Sequence, residues 1–203
     1  MSKVKAVFIL PAYQTAVGPK NQTKPPPGDT QQLIAAEGGL NAAIVAEMPR
    51  LRRHAVSLLY NVADAEDLIQ DCLETALTKQ ATLKDQARLR PWMFAILNNL
   101  FLMRLRSGGR GGVTGSTEDF ADSVAASAPP EDRAAALDLA RAMGKLSFEH
   151  RQVLLLINLE GYSYDDAAEV LAIPRGTVMS RLARARERLR ALLEDRDLRA
   201  VEE

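Results

Sequence analysis

Near the middle of this 203-residue chain, the stretch from Ser107 to Pro130 gathers Gly108, Gly109, Gly111, Gly112 and Gly115, several serines and the pair Pro129-Pro130. Glycine and serine keep backbone freedom, and a proline pair cannot continue a helix, so this composition reads as a linker. It leaves fewer than about 110 residues on either side, enough for a small domain but not for one large enzyme fold. The glycines could suggest a phosphate cradle, but no Lys-Ser/Thr follows them and no strand precedes them. The predicted organisation is a flexible N-terminal extension over 1–36, a domain over 37–106, a linker over 107–130, a second domain over 131–196 and an acidic tail over 197–203.

Both domains read as helix, giving an all-α fold of two small helical domains. Aromatics are 5% of the chain, and Ala, Leu and Arg dominate where Val, Ile and Thr would signal sheet. Residues 1–36 hold Pro11, Pro19 and Pro25 to Pro27 and show no sustained period. From about Glu37 to Tyr60, Ile44, Val45, Met48, Leu51, Ala55, Leu58 and Leu59 recur at helical spacing. A second helix is predicted to start at Asp64 as N-cap, with Asp67 at the third position, and to run to about Lys79. The third opens near Pro91, tolerated in a first turn, and continues to Arg106. Beyond the linker, Glu131 to Met143 stops at Gly144, and Ser147 caps a run that stops at Gly161. Ser163 with Asp166 resembles a capping box for a short helix to Leu171, and Pro174 breaks the chain before a long helix over about Gly176 to Leu193. A short helix, a brief break and a long basic helix are the parts of a helix-turn-helix.

Charge narrows the function. The chain has 26 basic and 26 acidic residues, but they are segregated: Arg88 to Arg110 contains no acid, and Arg175 to Arg190 carries six Arg against Glu187 alone. Acid gathers in Asp64 to Glu74, Glu118 to Asp138 and after Glu194. Blocks of opposite sign imply separate binding faces, with the Arg-rich blocks suited to phosphate backbones. No stretch approaches the roughly 18 to 20 apolar residues of a membrane span, and Ala6 to Leu10 stops at Pro11 without forming a convincing signal peptide. Cys72 is the lone cysteine and His54 and His150 the only histidines, so no disulfide, metal or cofactor is expected, and a reducing cytoplasm is. The two histidines read as surface or partly buried helix residues, and no nucleophile, base or metal constellation supports an enzyme.

Two helices are sharply two-faced. On the second, Asp67, Gln70, Asp71 and Glu74 fall within a stripe about 100° wide, opposite Leu68, Ile69, Cys72, Leu73, Ala76 and Leu77. A solvated acidic face and a docking surface for a basic partner both fit it. Cys72 lies on the apolar side as a small core residue. On the last helix Val178, Leu182, Ala185, Leu189 and Leu192 share one face, and Thr177, Ser180, Arg181, Arg184 and Arg188 another, with Arg175 just before them. Such a helix can pack inward while presenting Arg, Ser and Thr to a major groove. Arg186 and Arg190 lie off that stripe and suit phosphate or solvent. In the third helix Trp92, Phe94, Asn98, Asn99, Arg104 and Arg106 combine the chemistry that stacks and hydrogen-bonds unpaired bases, although on spacing alone Trp92 and Phe94 are more often core residues.

These residues resemble a known family. Leu146-Ser147-Phe148-Glu149-His150-Arg151-Gln152-Val153-Leu154-Leu155-Leu156, then Glu160-Gly161-Tyr162-Ser163, then Gly176-Thr177-Val178-Met179-Ser180-Arg181-Leu182-Ala183-Arg184-Ala185-Arg186 are similar to region 4 of extracytoplasmic-function (ECF) sigma factors. Asp64 to Asp71 resembles region 2.2, and Arg90 to Asn99 resembles regions 2.3 and 2.4. Met103 stands where the family often has Asp, Asn98 where a basic residue is frequent, and Ala167 where Ile is common. The resemblance implies an alternative sigma factor that binds core RNA polymerase, with Asp67, Gln70, Asp71 and Glu74 facing the clamp helices of the largest subunit. It implies reading of the minus-ten non-template strand by Arg90, Trp92, Asn98, Asn99, Arg104 and Arg106. The minus-thirty-five duplex would be read by Arg175, Thr177, Ser180, Arg181, Arg184 and Arg188, and an anti-sigma factor would be a further partner. The alternative is a sigma-like adapter that sequesters an anti-sigma factor without binding DNA; the intact Arg-rich helix favours a true sigma factor.

Overall fold

The computed structural model describes residues 39–106 and 117–199, and every regular element among them is a helix. They form two compact units, one of residues 39–106 with the short stretch 169–172, the other of 117–168 and 173–199. The predicted extension over 1–36, the glycine-rich stretch 107–116 and residues 200–203 lie outside the described residues.

In the first unit, α1 (Gly39–Leu59), α2 (Val62–Thr78) and α3 (Leu89–Arg106) pack pairwise. Ile44, Leu51 and Ala55 of α1 are buried with Ala65, Leu68 and Cys72 of α2 and Met93, Phe94 and Leu97 of α3. Burial of each large side chain in such a core contributes about 1.5–3 kcal/mol. His54 is buried, not at the surface, and meets Phe94 edge-on with ring centroids 5.0 Å apart. Pro49 sits inside α1 on its exposed side, where water can reach the carbonyl that its missing N–H leaves unbonded. The cap of α2 is Asn61, not Asp64: the side-chain Oδ1 of Asn61 accepts from the Asp64 N–H at 3.1 Å. Asp64 therefore falls in the first turn, where its charge complements the helix dipole. Two 3₁₀ turns, Gln80–Thr82 and Gln86–Arg88, lead into α3, and Pro91 lies in its first turn as expected.

The second unit departs from the sequence reading at its start. Within the segment predicted to be linker, residues 117–127 form α4 (Thr117–Ser127), which packs against α5 (Arg133–Gly144). Phe120, Ala121, Val124 and Ala128 follow helical spacing and are buried, a stripe that the surrounding glycine, serine and proline conceal. Ser147 caps α6 (Phe148–Leu154) as predicted, and a π turn over Leu155–Leu159 follows it and ends before Gly161 at φ 72°. Arg151, almost wholly buried, donates to the carbonyls of Met143, Gly144 and Leu146 at 3.0–3.2 Å, tying the end of α5 to α6. The capping box of α7 (Tyr164–Leu171) is present: the Asp166 N–H donates to Ser163 Oγ at 3.1 Å. A turn through Ala172, at φ 52°, and Pro174 leads to α8 (Arg175–Arg199), which packs on α5 and α6. With no Gly or Pro after Leu193 to stop it, α8 runs past its expected end into the predicted tail.

Candidate nucleic-acid interfaces

The inner stripe of α8 is buried at Val178, Leu182, Ala185 and Leu189, which fixes the rotation of the helix about its axis. Ser180, Arg184 and Arg188 are consequently exposed, and Thr177 and Arg181 are half-buried beside them. Ser180 Oγ donates to the Thr177 carbonyl at 3.1 Å, which spends its hydrogen but leaves its lone pairs open to a base donor. Arg175, in the first turn, lies 3.5 Å from Asp165 in an exposed ion pair. Among the described residues, no hydrogen bond or ion pair engages Arg181, Arg184 or Arg188. Arg186 differs: off the stripe, it donates to Asn158 Oδ1 at 3.3 Å.

In α3 the six sequence-predicted residues separate into two sets. Trp92, Asn99 and Arg106 share one face: Asn99 and Arg106 are exposed, and Trp92 is half-buried with its Nε1–H donating to Thr82 Oγ1 at 3.2 Å. The other three turn away from it. Arg90 makes two hydrogen bonds, 3.2 and 3.3 Å, to the buried Glu47 carboxylate, and Asn98 is buried. Arg104 pairs with Asp71 and reaches the Asp64 carbonyl at 3.4 Å. Phe94 belongs to the core. Two members of the outer face were not among the residues predicted to read the strand, half-buried Ile96 and exposed Met103, the latter noted only as a departure from the family pattern. Their positions, four and eleven residues beyond Trp92, are the signal that would have found them.

On α2, Asp67, Gln70 and Glu74 are exposed together, opposite buried Leu68, Ile69, Cys72 and Ala76. Asp71 belongs to this acidic face, but its carboxylate is held by Arg104. Cys72 is sealed in the core, where its Sγ approaches the Met93 carbonyl at 3.7 Å. Burial, and secondarily the neighbouring Asp71 charge, pushes its thiol up to about 12, which suits a packing role and not a reactive one. Among the described residues, no group of His, Cys, Asp and Glu could hold a metal ion, and no helix is long and apolar enough to cross a membrane.

Residues 136–189 match the family described as Sigma-70, region 4, and residues 44–98 match the Sigma2 domain of PhyR. The chain is 35% identical over 154 residues to the ECF RNA polymerase sigma factor EcfG of Rhodopseudomonas palustris, spanning 74% of this chain and 82% of that protein. To the ECF RNA polymerase sigma factor SigL of Mycobacterium tuberculosis it is 35% identical over 166 residues, 79% of this chain and 93% of that one. Among solved structures, it is similar to the sigma factor RpoE of Bartonella quintana in complex with the anti-sigma factor NepR, with a TM-score of 0.58 and 30% identity over 82% of this chain and 98% of that one. CnrH, solved with the cytosolic domain of CnrY, matches with a TM-score of 0.54 and 25% identity over 93% of this chain and 98% of that one.

Proposed function

Because this chain belongs to the extracytoplasmic-function RNA polymerase sigma factors, we propose that it divides promoter recognition between its two units and docks on core polymerase through α2. The carrying observation is α8, where Arg181, Arg184 and Arg188 stand without described partners above a buried stripe that holds the helix fixed. In this reading they and Arg175, Thr177 and Ser180 bind the minus-thirty-five duplex in its major groove. Trp92, Asn99 and Arg106 contact the exposed non-template strand, while Arg90, Asn98 and Arg104 hold α3 in place from within. Asp67, Gln70, Asp71 and Glu74 meet a basic surface of the polymerase.

The protein then acts as a specificity subunit without chemistry of its own, working in the cytoplasm. Contacts to unpaired bases offset the unstacking cost of strand opening, and the polymerase makes the RNA. Joining two readers in one chain raises their joint affinity through effective concentration. That RpoE of Bartonella quintana was solved with an anti-sigma factor supports a partner of the same kind here.

The test is transcription from a genomic fragment library by purified bacterial core polymerase, with and without the protein, with mapping of new start sites. Discrete starts sharing a two-part upstream motif are expected. Neither core binding nor new starts would transfer the function to the adapter reading, in which the two domains occupy an anti-sigma factor and touch no promoter.

A further inference from the structure

We propose that Met103 is a base-contacting residue of this protein, presenting an apolar surface on which an unpaired base of the non-template strand rests. The inference deepens the reading of α3 given above and rests on it. Met103 is 62% exposed, the most exposed of the large hydrophobic side chains among the described residues. One exposed methionine is unremarkable by itself; its position is what gives it meaning. At about 100° per residue, Trp92, Ile96, Asn99, Met103 and Arg106 fall within a stripe about 80° wide that runs roughly 21 Å along α3.

Along that stripe the chemistry alternates in a way that suits one kind of ligand. Arg106 supplies charge for a phosphate, Asn99 an amide for a base edge, and Ile96 and Met103 apolar surface for base faces. Among the described residues, neither Asn99 nor Arg106 has a hydrogen-bonding partner that would occupy it. The segment from Arg88 to Arg106 holds no acid, so a polyanion meets no repulsion on this helix. A polarizable thioether packs well on an aromatic ring, and every base offers such a face. Trp92 is less available, being half-buried and tethered to Thr82 through its indole N–H. The freest apolar surface for stacking is therefore at Met103, one helical turn beyond Asn99, placing the rested base next to the one Asn99 reads.

The test uses holoenzyme assembled from core polymerase and the full chain, carrying wild type, Met103→Leu or Met103→Gln. Each is offered a pool of single-stranded oligonucleotides randomised across the minus-ten register, and core binding is measured in parallel. Met103→Leu is expected to keep the wild-type base profile. Met103→Gln is expected to weaken capture about two- to tenfold and to flatten the preference at a single position, with core binding unchanged. Identical profiles for wild type and Met103→Gln overturn the inference. So does a loss confined to core binding, which would make this face a protein contact. Absence of any enrichment by the wild-type holoenzyme overturns the reading of α3 as well.

Discussion

Cys72 shows how far one buried side chain can report on the unit around it. Its thiol, raised from 9.0 to about 12 by burial and by Asp71, keeps its proton in the folded protein over a pH range where the unfolded chain has lost it. The unfolded state then binds fewer protons, so stability falls as pH rises. The contribution is fully present below pH 9.0 and is lost as pH climbs toward about 12, at a slope near 1.4 kcal/mol per pH unit. Replacing Cys72 with Ala should remove that slope, read as the difference between the two proteins' denaturation curves across the window; parallel curves would show that the thiol is not sealed. Asp71 and Arg104 invite a second test, because the carboxylate that pairs with Arg104 within the fold is also one of those proposed to meet the polymerase. Asp71→Arg places two positive charges together, a loss of about 0.2–1 kcal/mol for a partly exposed pair. The swap Asp71→Arg with Arg104→Asp should recover that stability in thermal melts without recovering core binding in a polymerase pull-down. Recovery of both would mean that Asp71 acts on the polymerase only by positioning α3.

At the level of elements, the helices whose ends are marked by local chemistry were legible in the sequence. Ser147 capping α6, Ser163 with Asp166 opening α7, and Pro174 before α8 each act within four residues, and the structure places them as read. The two-faced patterns of α2 and α8 were equally plain, because a 3.6-residue period is a local property. Two local signals were misread, the cap of α2, where Asn61 stands three residues before Asp64, and the stripe of α4, hidden among glycine, serine and proline; the other misses depend on distant partners. Nothing adjacent to Arg104 announces Asp71, 33 residues earlier, and nothing adjacent to Arg90 announces Glu47, 43 residues earlier. Hence the predicted strand-reading set could not be divided into an outer and an inner half before α1 and α2 were in place. The same logic makes α8 testable, since its Arg residues differ in what they already hold. Arg181→Ala or Arg184→Ala should weaken promoter binding by about 1–3 kcal/mol if the side chain reads a base, and relax specificity at one position. Arg186→Ala, at a residue that already bonds Asn158, should cost less and weaken all sequences alike. Binding measured on a set of single-base promoter variants separates the two patterns, and a uniform loss from all three would assign the whole helix to phosphate contact.

For the molecule as a whole, the consequential element is α4, because it takes residues 117–127 out of the segment whose composition reads as linker. Sequence composition places the linker over 107–130, whereas Phe120, Ala121 and Val124 are buried against α5, leaving 107–116 as the remaining stretch of linker composition. The distinction changes what an insertion should do. A linker of glycine- and serine-rich composition has a closure entropy that grows only as the logarithm of its length, about 0.6 kcal/mol per doubling, and Gly-Ser residues added between Arg110 and Thr114 are expected to cost no more than that. Transcription from a two-part promoter should therefore fall by no more than a few-fold. The same insertion between Phe120 and Val124 turns these two residues onto different faces of α4, so the helix can no longer bury both, and losing the aromatic side chain from the core costs about 3–5 kcal/mol. The second unit should then melt earlier and lose minus-thirty-five binding, while Asp67, Gln70 and Glu74 continue to support core binding. Equal tolerance at the two sites would return α4 to the linker. Equal intolerance would show that promoter use depends on the exact length of 107–116, and that the two readers are positioned by the tether and not merely kept near one another by it.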